Sequence, residues 1–193
     1  MADPILWPIQ AIWLMLPAYV ANMTPVFAGG GAPVDLGRSW RGTRVFGDGK
    51  TWRGLLVGVA AGMGVAAALH FAAPSTGGVL SDFGAGPAFL FVGLALGGGA
   101  LFGDLVKSFF KRRSGRARGA PWFPFDQLDF VLGALVFSWI VSEYAVRTGH
   151  AGRNWFLDNF TVPILILVIV LSPLLHIGAN RLGHALGKKE VPW

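Results

Sequence analysis

Apolar residues are concentrated in five long segments, which are separated by polar or glycine-rich stretches. One helical crossing of a bilayer requires roughly 20 apolar residues, and each segment reaches that length. The pattern therefore predicts an all-α integral membrane protein in which about five transmembrane helices form one bundle and a single domain, residues 1–193. The predicted helices lie near residues 5–27, 54–73, 86–107, 127–147 and 160–182.

Composition agrees with a membrane protein and excludes several kinds of chemistry. Hydrophobic residues make up 53% of the chain and charged residues 13%, outside the usual range for soluble domains. The chain contains no cysteine, so disulfides, thiolate metal sites and cysteine nucleophiles are excluded. The formal net charge is +6. In so apolar a chain the basic residues are expected at membrane faces or on phosphates, and no nucleic acid partner is predicted.

The distribution of basic residues predicts an orientation. Lysine and arginine accumulate in cytoplasmic loops, and here most of them fall in or beside two loops, residues 28–53 and 108–126, and at the C-terminus. Five crossings then place the N-terminus outside and the C-terminus in the cytoplasm. The basic residues on the predicted cytoplasmic side are Arg38, Arg41, Arg44, Lys50, Arg53, Lys107, Lys111, Arg112, Arg113, Arg116, Arg118, Arg181, Lys188 and Lys189.

Three carboxylates lie where two predicted helices meet this same membrane face. Asp104 ends an uninterrupted apolar run, and Asp126 and Asp129 begin the next one. A carboxylate near hydrocarbon costs roughly a few kcal/mol unless it is paired or bound to a metal, so these residues are candidates for function. Capping of the helix N-terminus by Asp126 is an alternative for that residue, but it does not explain Asp129 or Asp104.

The stretch "GDLVKSFFKRR", Gly103–Arg113, combines an acid with several basic residues. Helical phase places Asp104, Lys107, Ser108 and Lys111 within an arc of about 100° on one face. Carboxylate oxygens beside ammonium groups suit a nucleoside triphosphate with Mg²⁺, because the oxygens hold the metal and the cations neutralise the phosphates. The alternative is simple pairing of Asp104 with Lys107 or Lys111 along the helix.

A second loop, "RGTRVFGDGKTWRG", Arg41–Gly54, places glycines on both sides of Asp48 and a lysine just before the second predicted helix. Glycines permit a turn whose backbone N–H groups approach phosphate, and a helix N-terminus favours anions. The loop is not a Walker A motif, because Val45 stands where the first glycine of G-x-x-x-x-G-K-[ST] belongs. A plain turn before a transmembrane helix explains the loop almost as well.

Together these motifs resemble the membrane-bound CTP-dependent cytidylyltransferases. Ser108, Lys111 and Arg112 match the S-x-x-K-R signature of the CDP-diacylglycerol synthases, and "DQLD" from Asp126 to Asp129 matches the spacing of their D-R-x-D element. The chain lacks the histidine-glycine-glycine element of that branch and is short for it. Along nearly its whole length it is more similar to the archaeal branch, the CDP-archaeol synthases, which share "GDGKTWRG", "GDLxKSFxKRR" and "DQLDF" in this order.

The resemblance implies a reaction and its partners. CTP and the ether lipid 2,3-bis-O-geranylgeranylglycerol 1-phosphate would give CDP-archaeol and pyrophosphate, with Mg²⁺ as the cofactor. The protein would be a multi-pass protein of the cell membrane with its active site on the cytoplasmic side. The lipid chains would enter sideways from the bilayer through a groove between helices.

On this hypothesis, each candidate residue has a role. Asp104, Asp126 and Asp129 would be catalytic metal ligands, and Lys111 and Arg112 would stabilise the departing pyrophosphate. Arg38, Arg41 and Arg44 would attract the lipid phosphate, although the topology rule alone also accounts for them. The residues predicted to bind nucleotide or phosphate are Gly49, Lys50, Thr51, Trp52, Arg53, Lys107 and Ser108.

Other functions are less consistent with the sequence. A CDP-diacylglycerol synthase that acts on phosphatidate is the nearest alternative. A small anion or nucleotide transporter would show similar hydropathy in two halves of the chain, and no such repeat is visible. A CDP-alcohol phosphotransferase would have an Asp-Gly-x-x-Ala-Arg element and a later Gly-x-x-x-Asp-x-x-x-Asp element, and this continuation is missing after Asp129.

Overall fold

The computed structural model describes residues 4–116 and 120–187, so Arg118, Lys188 and Lys189 lie outside the described residues. The helices are α1 (Trp7–Met23), α2 (Pro25–Ala28), α3 (Trp52–Ala72), α4 (Ala88–Arg113), α5 (Phe125–Arg147), α6 (Trp155–Asn159) and α7 (Val162–Ala185). Two short strands, β1 (Ser39–Trp40) and β2 (Thr43–Arg44), form an antiparallel hairpin between α2 and α3.

Five helical segments of the described chain are long and apolar enough to cross a membrane. This confirms the prediction of an all-α membrane protein with five transmembrane helices. The segments are Pro4–Ala28, Trp52–Thr76, Ala88–Arg113, Phe125–Arg147 and Val162–Ala185.

Helix α4 continues through the basic residues and ends at Arg113, whereas hydropathy predicts its end near residue 107. Hydropathy detects only the apolar part of the helix. Lys111, Arg112 and Arg113 lie in the last turn, where cations interact favourably with the negative end of the helix dipole. Gly115 follows with a left-handed φ of 70°, a conformation that commonly terminates a helix. The second basic loop therefore begins at residue 114, whereas the sequence predicts its start at 108.

Glycines allow α4 and α5 to pack with their backbones in contact. A methyl group on Gly99 would lie 2.5 Å from the Gly133 carbonyl oxygen and 2.8 Å from Phe137 Cβ. A methyl group on Gly103 would overlap the carbonyl oxygen of Asp129. Small residues at such spacings permit close helix packing in membranes. The contact brings Asp104, the neighbour of Gly103, close to Asp129 on α5.

Helix α1 is central and packs against α3, α4, α5 and α7. At the end of the bundle opposite to the C-terminus of α4, the α3–α4 connection is fixed to α1. Gln10 Nε2 donates to Ser81 Oγ at 2.6 Å, and Trp13 Nε1 donates to the Ser81 carbonyl oxygen at 2.8 Å. Phe83 in the same connection is fully buried. These contacts hold the connection across one end of the bundle, away from the predicted site.

Candidate active site

Three carboxylates converge on the ammonium group of Lys107. Its Nζ lies 3.1 Å from Asp104 Oδ1, 3.4 Å from Asp126 Oδ1 and 2.9 Å from Asp129 Oδ2. The Lys107 side chain is 15% exposed and that of Asp129 is 6% exposed. Charged groups with so little exposure to water must be paired, because a lone buried charge is costly.

Two further lysines complete the arrangement. Lys50, from the loop before α3, forms an ion pair with Asp104 Oδ2. Lys111 Nζ lies 2.9 Å from both oxygens of Asp126. Three carboxylates are thus balanced by three ammonium groups, and we call these six residues the acid–lysine cluster: Asp104, Asp126, Asp129, Lys50, Lys107 and Lys111.

The simpler interpretations of the acids describe only part of this cluster. Asp126 is not the N-cap of α5, since that position is Pro124 and has no side-chain cap hydrogen bond. Asp126 Oδ2 instead accepts a hydrogen bond of 2.6 Å from the backbone N–H of Trp122. Asp104 does pair with Lys107 along α4, but Lys107 also reaches both acids of α5.

A polar cavity of about 700 Å³ opens beside the cluster, and we call it the polar pocket. Its walls are residues 42–44 and 46–50 of the first loop and one face of α4. Of the residues predicted for catalysis or nucleotide binding, six line it: Gly49, Lys50, Lys107, Ser108, Lys111 and Arg112. The structure therefore brings the two motif-bearing segments together around one basic cavity.

Asp35, which the sequence motifs did not indicate, organises the loop that forms one wall of this pocket. Its carboxylate accepts hydrogen bonds from the backbone N–H groups of Gly37, Phe46 and Gly47 at 3.1, 2.9 and 3.0 Å. The Arg44 guanidinium, 2.6 Å away, holds the pKa of the Asp35 carboxyl well below its usual range, and the backbone donors add to this. An acid two residues before a glycine is the only local signal, and it also occurs in ordinary turns.

The interactions of Arg44 and Gly47 change two expectations. Arg44 is predicted to attract lipid phosphate, but it pairs with Asp35 and, at 2.5 Å, with Asp48. The N–H of Gly47 is among those expected to approach phosphate, but it is bonded to Asp35. Arg38 and Arg41, the other two residues predicted for lipid phosphate, are exposed and lie outside the polar pocket.

Arg113 fastens the hairpin to the end of α4. Its guanidinium carbon lies 3.4 Å from the ring centre of Phe109 and 4.9 Å from that of Trp40 on the hairpin. Its Nη1 also donates to the carbonyl oxygen of Val45 at 3.4 Å. Cation–π contacts of this kind stabilise by about 0.5–1 kcal/mol each at exposed sites. They hold the first loop over the polar pocket.

Three predicted nucleotide-binding residues lie outside the pocket. Thr51 caps α3, because its Oγ1 accepts a hydrogen bond from the N–H of Gly54 at 3.2 Å. Trp52, which is 45% exposed, and Arg53, which is also exposed, occupy the first turn of α3. Their predicted contact with nucleotide has no support in the shape of the pocket.

A second cavity, of about 440 Å³, lies between α4 and α5 and is almost entirely apolar; we call it the apolar groove. Its walls include Phe102, Val106, Phe110, Val136 and Phe137. Asp129 and Lys107 also line it, and Lys107 lines the polar pocket as well. The two cavities therefore meet at the acid–lysine cluster.

The three acids have the donor chemistry that Mg²⁺ prefers, namely carboxylate oxygens. Among residues 4–116 and 120–187, no three His, Asp or Glu side chains are arranged to hold a metal ion as they stand, since the Lys107 ammonium lies between these three. Asp129 Oδ1 is nevertheless buried and has no hydrogen-bond partner in the described part of the chain. The acids therefore fit a divalent cation, provided that Lys107 moves away.

The chain has a five-span bundle, a basic pocket, a cluster of acids at one end and an apolar groove that reaches the cluster. Together with the family match, these features place it among the integral membrane nucleotidyltransferases. The chain belongs to the CarS-like, CDP-archaeol synthase family, whose model matches residues 3–193. This confirms the archaeal branch indicated by the motifs.

Similar proteins support this membership along nearly the whole chain. A CDP-archaeol synthase of Thermococcus onnurineus is 47% identical, over 98% of this chain and 97% of that protein. One of Halorubrum lacusprofundi is 46% identical, over 95% of this chain and 96% of that protein. A solved structure of an intramembrane enzyme for archaeal membrane lipid biosynthesis is 39% identical, with a TM-score of 0.67 over 89% of this chain and 93% of that one.

Proposed function

We propose that this protein transfers the cytidylyl group of CTP to the ether lipid 2,3-bis-O-geranylgeranylglycerol 1-phosphate, forming CDP-archaeol and pyrophosphate. The observation that carries the proposal is the meeting of the polar pocket and the apolar groove at Lys107, in a chain of the CDP-archaeol synthase family. The reaction needs such a junction, because one substrate is water-soluble and the other is a lipid.

In this proposal the polar pocket holds the triphosphate of CTP. Lys50, Lys111 and Arg112 line it and supply positive charge, and the buried Ser108 supplies a hydroxyl. Charge-assisted hydrogen bonds to phosphate are about twice as strong as neutral ones. Arg112 is the member of this group that contacts no carboxylate among the described residues, so its charge is the most available to phosphate.

The apolar groove would receive an alkyl chain of the lipid. Phe102, Val106 and Leu132 along its length offer hydrocarbon contacts, and Lys107 at its end offers a cation for the lipid phosphate. A lipid in this position reaches the cluster without leaving the bilayer. Arg38 and Arg41 would then act only by attracting anionic lipid to this face of the membrane.

The chemistry requires positioning and charge neutralisation. An oxygen of the lipid phosphate attacks the α-phosphorus of CTP in line, the new P–O bond forms, and the bond to the β-phosphate breaks with pyrophosphate as the leaving group. The attacking oxygen is already anionic, so no protein nucleophile is needed. Lys111 and Arg112 stabilise the charge that develops on pyrophosphate, and Lys107, which lines both cavities, neutralises phosphate at their junction.

We assign Mg²⁺ to Asp104, Asp126 and Asp129. When bound, a divalent cation neutralises the triphosphate and makes the α-phosphorus easier to attack. The protein's part is to present the three carboxylates from two helices fixed by the Gly99, Gly103 and Gly133 contacts. We also propose that the protein resides in the cell membrane with this site facing the cytoplasm, as the basic loops predict.

The proposal is tested with the purified protein, Mg²⁺ and radiolabelled CTP, with either the archaeal ether phosphate or phosphatidate as acceptor. We expect labelled CDP-lipid with the ether phosphate and much less with phosphatidate. Absence of labelled lipid with both acceptors would contradict the proposed reaction. A strong preference for phosphatidate would contradict only the choice of acceptor.

A further inference from the structure

Lys107 occupies the place between the three carboxylates. Its Nζ is within 3.4 Å of Asp104, Asp126 and Asp129, which come from two helices. Lys50 and Lys111 each contact one of the same acids. Asp129 Oδ1, buried and without a hydrogen-bond partner among the described residues, is the carboxylate oxygen that the lysines leave unused.

We propose that the Lys107 ammonium is an internal counter-cation, which a divalent cation displaces only when a triphosphate is present to receive the lysine. The proposal rests on the proposed function in one respect, namely that these acids hold the metal. It adds a conformational role for Lys107 and a thermodynamic coupling between the metal and the nucleotide.

The coupling follows from charge balance in a site with little water. A metal ion that arrived alone would have to displace the ammonium from three carboxylates, which would leave a nearly buried lysine without an anion. A triphosphate that arrived alone would place its negative charges beside three carboxylates. When both arrive, the lysine moves from carboxylate to phosphate and the metal takes its place.

Lys107 is also positioned for such a movement. It lines the polar pocket and the apolar groove, so phosphate groups from either side lie within reach of a flexible four-carbon side chain. By linkage, whatever free energy the nucleotide contributes to metal binding, the metal must contribute to nucleotide binding.

The test compares the affinity of the wild type and of two variants for Mn²⁺, in detergent and without nucleotide. Binding is measured by electron paramagnetic resonance, as the loss of the free-ion signal. Lys107→Met should bind Mn²⁺ at least about tenfold more tightly than the wild type, within the usual range of coupling between sites. Arg112→Met is the matched control, because it also removes a cation from the polar pocket. The Arg112 guanidinium contacts the Arg116 carbonyl oxygen and no described carboxylate. Equal Mn²⁺ affinity in the two variants would overturn the proposal.

A second measurement does not depend on the folding of the variant. In the absence of acceptor lipid, Mn²⁺ together with CTP should raise the Tm of the wild type. The same concentration of Mn²⁺ without CTP should leave that Tm unchanged. A rise in Tm with Mn²⁺ alone would overturn the proposal. A wild type that makes no CDP-lipid while Lys107→Met binds Mn²⁺ tightly would contradict the proposed reaction and support the exchange.

Discussion

A single carboxylate, Asp35, determines the shape of the loop that faces the polar pocket. It is almost fully buried and binds three backbone N–H groups and the Arg44 guanidinium. Its pKa is lowered from the ordinary value of about 3.9, so the stability it contributes is fully present above that pH and is lost only as the pH falls through the lowered pKa. Between pH 5 and 8 the carboxylate stays ionised and the loop keeps its shape.

We therefore expect Asp35→Asn to raise KM for CTP by about tenfold, with a smaller effect on kcat, because an amide NH₂ would face the N–H donors of Phe46 and Gly47 and cost about 1–3 kcal/mol. The measurement is steady-state kinetics with varied CTP. Asp48→Asn is the matched control, since Asp48 contacts the same arginine but is 74% exposed. Equal effects of the two substitutions would contradict the role of Asp35.

The sequence motifs predicted the charged residues of the candidate site, but not the residues with which Asp35 and Lys107 form hydrogen bonds and ion pairs. Helical phase correctly placed Asp104, Lys107, Ser108 and Lys111 on one side of α4, since a helix fixes neighbours three and four residues apart. The meeting of Lys107 with both acids of α5 depends on a contact between helices. Asp35 lies in a loop, where its bonds to Phe46 and Gly47 come from residues more than ten positions away.

Among the elements, the long helices were predictable and the short ones were not. An apolar run of about 20 residues identifies a crossing regardless of its partners. The hairpin at Ser39–Arg44 and the helix Trp155–Asn159 are too short to show a hydrophobic period. The contact of Arg113 with Trp40, which docks the hairpin, is likewise invisible in local sequence.

The close contact of α4 with α5 makes a sharp prediction for its glycines. Gly103→Ala should destabilise the protein and lower kcat strongly, because the added methyl group meets the backbone of Asp129, which cannot move without displacing that acid. The measurements are Tm in detergent and CDP-lipid formation. Gly98→Ala on the same helix is the control, since its nearest neighbour is the Leu94 side chain at 3.9 Å. Equal tolerance of both substitutions would contradict this account of the packing.

The apolar groove predicts a separation between the two substrates. Val136→Trp should fill the groove and raise KM for the lipid acceptor several-fold. KM for CTP should stay unchanged, because Val136 does not line the polar pocket. Ile140→Trp is the matched control, since both positions lie on α5 and are 50% exposed, but Ile140 does not line the groove. An equal rise in KM for CTP in Val136→Trp would show that the groove is not the lipid path.

At the scale of the whole molecule, the site lies at one end of the bundle, where the basic loops and the membrane-spanning helices meet. Its orientation is testable because the natural chain contains no cysteine. Ser114→Cys, after α4, and Ser75→Cys, after α3, each introduce one exposed thiol at opposite ends of the bundle. In intact cells a membrane-impermeant maleimide should label the thiol at position 75 and not that at 114. The reverse pattern would place the site outside.

The most direct test of the account is the turnover of Asp129→Asn. The substitution preserves size and leaves Lys107 paired with Asp104 and Asp126, so the fold should survive. It removes one carboxylate at the junction of the polar pocket and the apolar groove. We predict that kcat for CDP-lipid formation falls by about 10²-fold or more while Tm stays close to that of the wild type. Full activity in the folded variant would contradict the assignment of the reaction to the acid–lysine cluster.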